Sequence, residues 1–268
     1  MTSNQIAAGP RRLFDVRRLG GIAWEFHQPG KAEVAVIVPL YNYAATIEEC
    51  LWSVIRQTMR PLSVVVVDDG STDDGADRAI DLLRRHTERF VSARVIRHKR
   101  NQGVSMARNT GIAWSDEAYL FMLDADNRIR PPALSRLLEA LHSSGAAFSY
   151  AQLRLFGAAE GLGVADIWDP LKFRAGNYID TMAMIRRDAL QASDGYAVLA
   201  DDHGLEDYDL WCRFATLGLE GVFLPEVLCD YRVHSESRTS AQGKALREAQ
   251  MAEMALRYPG LFITDPDD

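Results

Sequence analysis

The chain has 268 residues, of which 47% are hydrophobic and 25% charged, with a formal net charge of −7 at pH 7. Its length and apolar content suffice for one large α/β domain or two small ones, and we expect one. The acidic balance argues against a nucleic-acid-binding protein, which would normally present an excess of Lys and Arg.

The first half of the chain alternates predicted strands and helices. Residues 1–32 mix Gly, Pro and Arg and are predicted to form an arm or short strand, without an assigned function. Apolar or β-branched runs predict four buried strands, at residues 34–38, 62–67, 95–96 and 120–123. Apolar residues at helical spacing predict a helix after each of them, near residues 47–55, 80–83, 106–114 and 134–141. Thr46 and Glu49 fit a capping box for the first helix. This alternation predicts a mainly parallel sheet.

The alternation weakens after about residue 148. Strand-like runs occur at residues 149–156, 183–185, 222–224 and 227–233. Residues 157–163 are predicted to form a flexible turn. A helix with an apolar face is predicted after the pair Glu206-Asp207, ending at Gly218, and a weaker one over residues 241–257.

Cysteine content and hydropathy indicate a reduced protein without a membrane span. The three cysteines are far apart in the sequence, so they predict neither a disulfide framework nor a zinc motif. No run approaches the roughly 18 apolar residues of a transmembrane helix, and the N-terminus lacks an apolar signal segment. We therefore expect a cytoplasmic protein with no transmembrane segment, while peripheral contact with a membrane stays open.

Two carboxylates directly follow the fourth predicted strand. Asp124 and Asp126 flank the small Ala125 at a strand end, which is where ligands bind in open α/β sheets. Paired hard oxygens at this spacing suit Mg²⁺ or Mn²⁺ carrying a diphosphate. The alternative is that both side chains only cap the next turn, where Asp is favoured.

Six motifs in a fixed order resemble those of a known family. They are Val36-Ile37-Val38-Pro39-Leu40-Tyr41-Asn42, Val67-Asp68-Asp69-Gly70-Ser71, Asn101-Gln102-Gly103-Val104-Ser105-Met106-Ala107-Arg108-Asn109, Asp124-Ala125-Asp126, Glu206-Asp207-Tyr208-Asp209-Leu210-Trp211 and Tyr231-Arg232-Val233-His234. Over about residues 34–234 the chain resembles the family 2 glycosyltransferases of the GT-A fold. The resemblance implies a Rossmann-like, mainly parallel α/β sheet flanked by helices, with a smaller acceptor-side portion. It also implies inverting transfer of a sugar from a nucleoside diphosphate to an acceptor hydroxyl.

The resemblance assigns the donor-binding residues. Asp126 and His234 look like metal ligands for Mn²⁺ or Mg²⁺, and Asp124 is placed for the metal or the ribose. The other residues in nucleotide-binding positions are Pro39, Tyr41, Asp69, Arg108 and Ala125. Asp69 resembles a carboxylate that binds uracil in relatives, which favours a UDP-sugar. The alternatives are structural: Asp68 caps a turn, Arg108 forms an ion pair, and His234 is an ordinary surface or core histidine.

The resemblance also assigns the acceptor side. The Glu206-Asp207 pair supplies the catalytic base, which we expect to be Asp207, with Glu206 orienting the acceptor; a helix N-terminus also favours carboxylates for electrostatic reasons alone. The acceptor is unknown and could be a saccharide, a lipid-linked molecule or a small molecule. Residues 157–180, including Trp168, Phe173 and Tyr178, suit sugar contacts or ordinary packing equally well.

These inferences divide the chain into four parts and leave two other functions open. The parts are the arm at residues 1–32, a nucleotide-sugar-binding half at 33–148, an acceptor-binding and catalytic half of the same domain at 149–240, and a C-terminal helix and tail at 241–268. The alternatives are a sugar nucleotidyltransferase, which can share this layout, and a non-catalytic sugar-nucleotide-binding protein.

Overall fold

The computed structural model describes residues 15–199, 204–234 and 244–262. Within these ranges ten strands form one mixed sheet. The strands are β1 (Gly20–His27), β2 (Val34–Leu40), β3 (Ser63–Asp68), β4 (Ser92–His98), β5 (Tyr119–Met122), β6 (Arg128–Ile129), β7 (Phe148–Gly157), β8 (Gly161–Leu162), β9 (Ala183–Arg186) and β10 (Gly221–Val233). Their order is β1-β4-β3-β2-β5-β9-β7-β10-β6, and β8 pairs with the end of β7.

Helices cover this sheet. They are α1 (Ile47–Ile55), α2 (Gly75–Arg85), α3 (Val104–Ala113), α4 (Ala133–Ser144), α5 (Arg187–Ala192), α6 (Glu206–Thr216), α7 (Lys244–Arg257) and α8 (Pro259–Phe262). Short 3₁₀ turns lie at Asp15–Arg18, Thr87–Arg89 and Pro170–Ala175. No helix among the described residues is long and apolar enough to span a bilayer.

The predicted parallel half is confirmed. Strands β2 and β3, β3 and β4, and β2 and β5 pair in parallel, and β2 is buried along its whole length. Its even-numbered residues, such as Val36, pack with α1, α2 and α4, whereas its odd-numbered residues, such as Ile37, pack with α3 and α6. Because both faces of the strand are covered, its sequence is continuously apolar rather than alternating.

The contact between α3 and β2 requires a glycine. A Cβ atom added at Gly111 would lie 2.3 Å from Cγ2 of Ile37. The helix therefore approaches the strand more closely than any side chain at this position would allow. This close packing fixes the position of Arg108, one turn earlier on α3, at the edge of the sheet.

The second half of the sheet is mostly antiparallel, apart from the long parallel pair of β7 and β10. The two strands predicted at residues 222–224 and 227–233 form one strand, β10, whose register shifts after Leu224 and after Val227. Because these irregularities place Pro225 outside the regular ladder, its missing N–H does not end the strand. In the arm, β1 pairs with β4 at the sheet edge.

The predicted capping box at α1 is wrong. The Thr46 side chain makes no capping hydrogen bond to the helix. Instead of reaching back to Thr46, the Glu49 carboxylate accepts hydrogen bonds from Arg128 and Arg232. The two guanidinium groups compete successfully for this carboxylate because charge-assisted bonds are the stronger kind. The cysteines, Cys50, Cys212 and Cys229, are buried free thiols, as predicted.

Candidate active site

The Asp124-Ala125-Asp126 segment follows β5 at the carboxyl edge of the parallel strands. Ala125 is buried in the core, so the carboxylates on either side of it point away from the core. The backbone N–H of Asn127 donates to the Asp124 carbonyl at 3.0 Å and closes a turn. Both aspartates are thereby presented at the sheet edge, whereas Ala125, which was predicted to bind the nucleotide, is buried.

Asp126 and His234 lie in direct contact although 108 residues separate them. His234 Nε2 is 2.8 Å from Asp126 Oδ2. The Asn127 side chain holds the two segments together, since its Oδ1 accepts from the backbone N–H of Arg232 at 2.8 Å. No sequence pattern predicts this role of Asn127. Burial and the charge of Asp124 raise the pKa of Asp126, and the hydrogen bond to His234 only partly offsets this rise.

This pair fits a divalent cation. Adjacent ligands on an octahedral ion with bonds of about 2.1 Å are separated by about 3.0 Å, close to the observed oxygen–nitrogen distance. The described residues contain no group of three or more His, Cys, Asp or Glu side chains that could hold a metal. A cation here would therefore take two protein ligands and fill its remaining positions with diphosphate oxygens and water, an arrangement usual for Mg²⁺.

Arg108 joins the aspartate turn to helix α6. Its Nη2 donates to Asp124 Oδ1 at 2.8 Å, and its Nη1 donates to Glu206 Oε1 at 3.1 Å. The guanidinium lies 5.2 Å from the ring centre of Tyr196, and its side chain is only 3% exposed. Its Nε has no hydrogen-bond partner among the described residues. One buried cation therefore brings the Asp124 turn and the Glu206-Asp207 pair to one edge of the sheet.

Asp207 lies in the first turn of α6. Its Oδ2 accepts from Asn177 Nδ2 at 3.0 Å, and its Oδ1 accepts from the backbone N–H of Tyr208 at 2.7 Å. Burial, followed by the charges of Glu206 and Asp180, raises its pKa well above the usual range. A raised pKa makes this carboxylate a stronger proton acceptor than an ordinary aspartate.

Asp180 is a further site residue, which was not among the predicted ones. Burial and the charge of Asp124 raise its pKa to about 7, and its own charge acts on Asp207. One of its oxygens accepts from the Met182 N–H at 2.9 Å, whereas the other has no hydrogen bond within the described residues. Asp180 therefore interacts electrostatically with both the aspartate turn and α6. It belongs to no recognisable motif, so only the fold identifies it.

The predicted nucleoside residues differ in exposure. Tyr41 is 42% exposed at the end of β2, whereas Pro39 is buried within that strand. Asn42 has a left-handed backbone (φ 58°), and its Oδ1 accepts from the Thr72 N–H at 2.8 Å. This bond ties the loops after β2 and β3 together and leaves the Tyr41 ring accessible for stacking.

Asp69 is buried and already holds several donors. His98 Nδ1 lies 2.6 Å from its Oδ1, and the backbone N–H groups of Gln102 and Gly103 donate to the carboxylate at 2.8–3.1 Å. Base recognition by Asp69 stays a prediction; the contacts present hold the loop before α3. Asp68 accepts from the Ser71 N–H at 2.9 Å and from Arg97. The first of these bonds fits the alternative prediction that Asp68 caps a turn.

The aromatic residues of the 157–180 segment belong mainly to the core. Phe173 and Tyr178 are buried, and Trp168 packs edge-on against Phe148, with ring centres 5.1 Å apart. The structure therefore supports a packing role for these rings. Within this segment Asn177 is the residue that contacts a predicted site residue, through its bond to Asp207.

Comparison with known proteins identifies the family. Residues 35–193, more than half of the chain, match the model described as Glycosyl transferase family 2. The chain belongs to glycosyl transferase family 2. It is 38% identical over 106 residues to the uncharacterized glycosyltransferase EpsJ of Bacillus subtilis, which covers 40% of this chain and 29% of EpsJ. An uncharacterized glycosyltransferase of Haemophilus influenzae is 27% identical over 222 residues, covering 77% of this chain and 67% of that protein.

Solved structures confirm the fold of this family 2 chain. S. aureus TarS 1–349 in complex with UDP-GlcNAc matches with a TM-score of 0.67 and 18% identity, covering 85% of this chain and 67% of TarS. The mannosyltransferase PcManGT of Pyrobaculum calidifontis, in complex with GDP-Man and Mn²⁺, also matches with a TM-score of 0.67, at 20% identity over 93% of this chain and 73% of PcManGT. The predicted GT-A type α/β fold is confirmed.

Proposed function

We propose that this protein is an inverting, metal-assisted glycosyltransferase that moves a sugar from a nucleoside diphosphate, with UDP-sugars favoured, to an acceptor hydroxyl. The observation that carries the proposal is the bridge formed by Arg108 between Asp124 and Glu206. Donor-side and acceptor-side carboxylates, far apart in the sequence, share one buried guanidinium. A donor diphosphate and an incoming hydroxyl could therefore meet at one edge of the sheet.

The donor side would bind the diphosphate near the Asp126–His234 pair. A bound Mn²⁺ or Mg²⁺ would neutralise negative charge on the departing diphosphate. Asp126 and His234 would hold this cation, and Asp124 is fixed by Arg108 beside them. The exposed ring of Tyr41 would stack on the base. TarS in complex with UDP-GlcNAc and PcManGT in complex with GDP-Man and Mn²⁺ support a nucleotide-sugar donor and a divalent ion.

The acceptor side would rely on Asp207. As the acceptor oxygen attacks the anomeric carbon, Asp207 takes the hydroxyl proton and the bond from that carbon to the diphosphate oxygen breaks. Attack opposite the leaving group inverts the anomeric centre. The raised pKa of Asp207 suits this role, and Asn177 orients its carboxylate. Glu206, held by Arg108, would position the acceptor.

A binding and turnover experiment tests this proposal. Thermal shifts of the wild-type protein, Asp126→Ala, Asp207→Asn and the control Asp81→Ala would be measured with UDP, GDP and their sugars, with and without Mn²⁺. A ligand at a hundred times its dissociation constant should stabilise the native state by about 2.7 kcal/mol. Asp126→Ala should lose the Mn²⁺-dependent part, whereas Asp207→Asn should keep it and lose transfer. Asp81, an exposed residue of α2, should behave like wild type.

Three outcomes would contradict the proposal. Normal transfer by Asp207→Asn would remove the assigned base. Release of pyrophosphate from a nucleoside triphosphate and a sugar phosphate would instead establish a nucleotidyltransferase, and donor binding without turnover across acceptors would indicate a binding protein.

A further inference from the structure

Arginine side chains form a continuous surface beside the Asp126–His234 pair. On β10 and its end, Asp230, Arg232 and His234 alternate and therefore share one face. Asp230 pairs in register with Arg128 of β6 and with Arg154 of β7, and Arg232 pairs with Phe156. We call this the arginine surface, and its members are Arg128, Arg130, Arg154 and Arg232.

The positive charge of the arginine surface is only partly neutralised. Asp230 accepts from Arg128, Arg130 and Arg154, at 2.8–3.4 Å. Glu49 accepts from Arg128 and Arg232. Four guanidinium groups face these two carboxylates, an excess of two positive charges. Glu160, an exposed residue that lines the cavity beside this surface, reduces the excess to one, in a chain whose net charge is −7.

The surface borders a cavity of about 540 Å³ between β6 and the β7–β8 hairpin, lined in part by Arg128, Arg154 and Phe156. The Phe156 ring supports two arginines, with Arg128 4.1 Å and Arg232 4.4 Å from its centre. Nη2 of Arg128 and Nη1 of Arg154 make no hydrogen bond within the described part of the chain. Preformed guanidinium groups with unused N–H donors are suited to bidentate binding of phosphate or carboxylate.

The arginine surface adjoins the proposed transfer site. Arg232 Nε donates to the backbone carbonyl of Asp126 at 2.9 Å, and Arg232 precedes the other metal-ligand candidate, His234, by two residues. An anionic group bound to the arginine surface would therefore lie next to the proposed metal pair. Because Arg128 and Arg154 line a cavity, an anionic group on a bound molecule fits them better than the head groups of a flat bilayer.

We propose that the acceptor carries a phosphate or carboxylate group that binds to the arginine surface. This inference rests on the proposed function, because it concerns the acceptor of the same site. Arg128 and Arg154 would contact the anion through their unused N–H donors, and Arg232 would link the anion site to the metal pair. Charge would thus select the acceptor, while Glu206 and Asp207 would position its hydroxyl.

A titration that does not depend on turnover tests the inference. The arginine Nε–Hε signals of ¹⁵N-labelled protein would be followed by NMR while glucose 6-phosphate, glucuronate or glucose is added. We expect shifts at Arg128, Arg154 and Arg232 with one or both acids and none with glucose; the two acid arms distinguish phosphate from carboxylate. Arg154→Gln should weaken acid binding about tenfold, and Arg154→Lys should restore part of it. Arg136→Gln is the matched control, since Arg136 of α4 is as exposed as Arg154 but pairs with Glu139 of the same helix and Glu226 of β10.

Several results would overturn the inference. These are equal shifts with glucose, acid binding unaffected by Arg154→Gln, or no acid binding at all. The surface would instead be assigned to a membrane if the protein bound anionic lipid vesicles but neither acid, and if Leu162→Ser abolished the vesicle binding. Leu162 is an exposed apolar residue that lines the same cavity. Thermal shifts with nucleoside diphosphates on the same samples separate the two proposals: nucleotide binding without acid binding refutes only the acceptor charge, whereas absence of nucleotide binding and of transfer refutes the proposed function.

Discussion

Replacing Arg108 by methionine should destabilise the folded chain, and this loss should shrink as the pH falls. Arg108 is buried and makes two charge-assisted hydrogen bonds, to carboxylates that are themselves only 27% and 16% exposed. Removing one partner of a buried ion pair costs about 3–5 kcal/mol. Because both carboxylates keep some contact with solvent, we expect about 3 kcal/mol, which corresponds to a fall in Tm of about 6–12 °C.

The pH dependence follows from the carboxylates left behind. Burial alone would lower the pKa of Arg108, but the charges of Asp124 and Glu206 raise it, so the wild-type cation persists at every pH of interest. The charge of Arg108 also lowers the pKa values of Asp180 and Asp207, which burial raises, so without this cation both pKa values should rise further above the unfolded value of about 3.9. A carboxyl group whose pKa is higher in the folded than in the unfolded state has no effect on stability below the unfolded pKa. It destabilises the native state progressively as the pH rises from the unfolded pKa to the folded pKa. The deficit should therefore be larger at pH 8 than at pH 5.

Urea unfolding followed by tryptophan fluorescence between pH 5 and 8 measures this effect. Arg187→Met is the control, because Arg187 is also partly buried but donates to the neutral acceptors Glu117 O, Ile112 O and Ser115 Oγ. Its loss of stability should not depend on pH in the same way. Arg108→Lys should fall between wild type and Arg108→Met, since it keeps the charge but not the two-pronged geometry. A deficit in Arg108→Met that stays constant from pH 5 to pH 8 would refute the assigned electrostatic role.

Three further predictions concern catalysis and stability. Transfer should decline as the pH falls, because protonation of Asp207, whose pKa is raised, removes the base. Asp180→Asn should move this decline to lower pH, because it removes a negative charge that raises the pKa of Asp207. An unchanged pH–rate profile in Asp180→Asn would contradict this interaction. Asp209→Asn should lower the free energy of unfolding in urea by about 2–4 kcal/mol, because this fully buried carboxylate holds Arg213, Arg257 and Tyr258. Asp188→Asn is the control: its carboxylate lies in an exposed ion pair, so the free energy of unfolding should change by less than about 0.5 kcal/mol. Gly111→Ala should cost about 1–3 kcal/mol through its clash with Ile37, and a smaller cost in an Ile37→Ala background would verify that contact; Gly260→Ala, at an open position, should be tolerated.

Local pattern was sufficient to predict the elements but not their side-chain partners. Buried strands such as β2 and β5 have apolar runs whose length and composition are visible in the sequence. Glu49 fits a capping box just as well, yet in the structure it binds Arg232, 183 residues away. Asp209 is a plausible helix-turn residue by position, but it anchors Arg257 of α7. Sequence spacing contains no information about which distant cation packs against a given carboxylate.

The sequence by itself determined the alternation of strands and helices, the family, and the carboxylates that end β5 and begin α6, because hydrophobic periodicity and motif order are properties of the chain alone. Only the tertiary structure decided that His234 contacts Asp126, that Arg108 joins Asp124 to Glu206, and that Asp180 lies near both groups. The physical reason is that these contacts depend on the register of β10 beside β6 and on the close approach of α3 to β2. Packing of the whole sheet sets both of these.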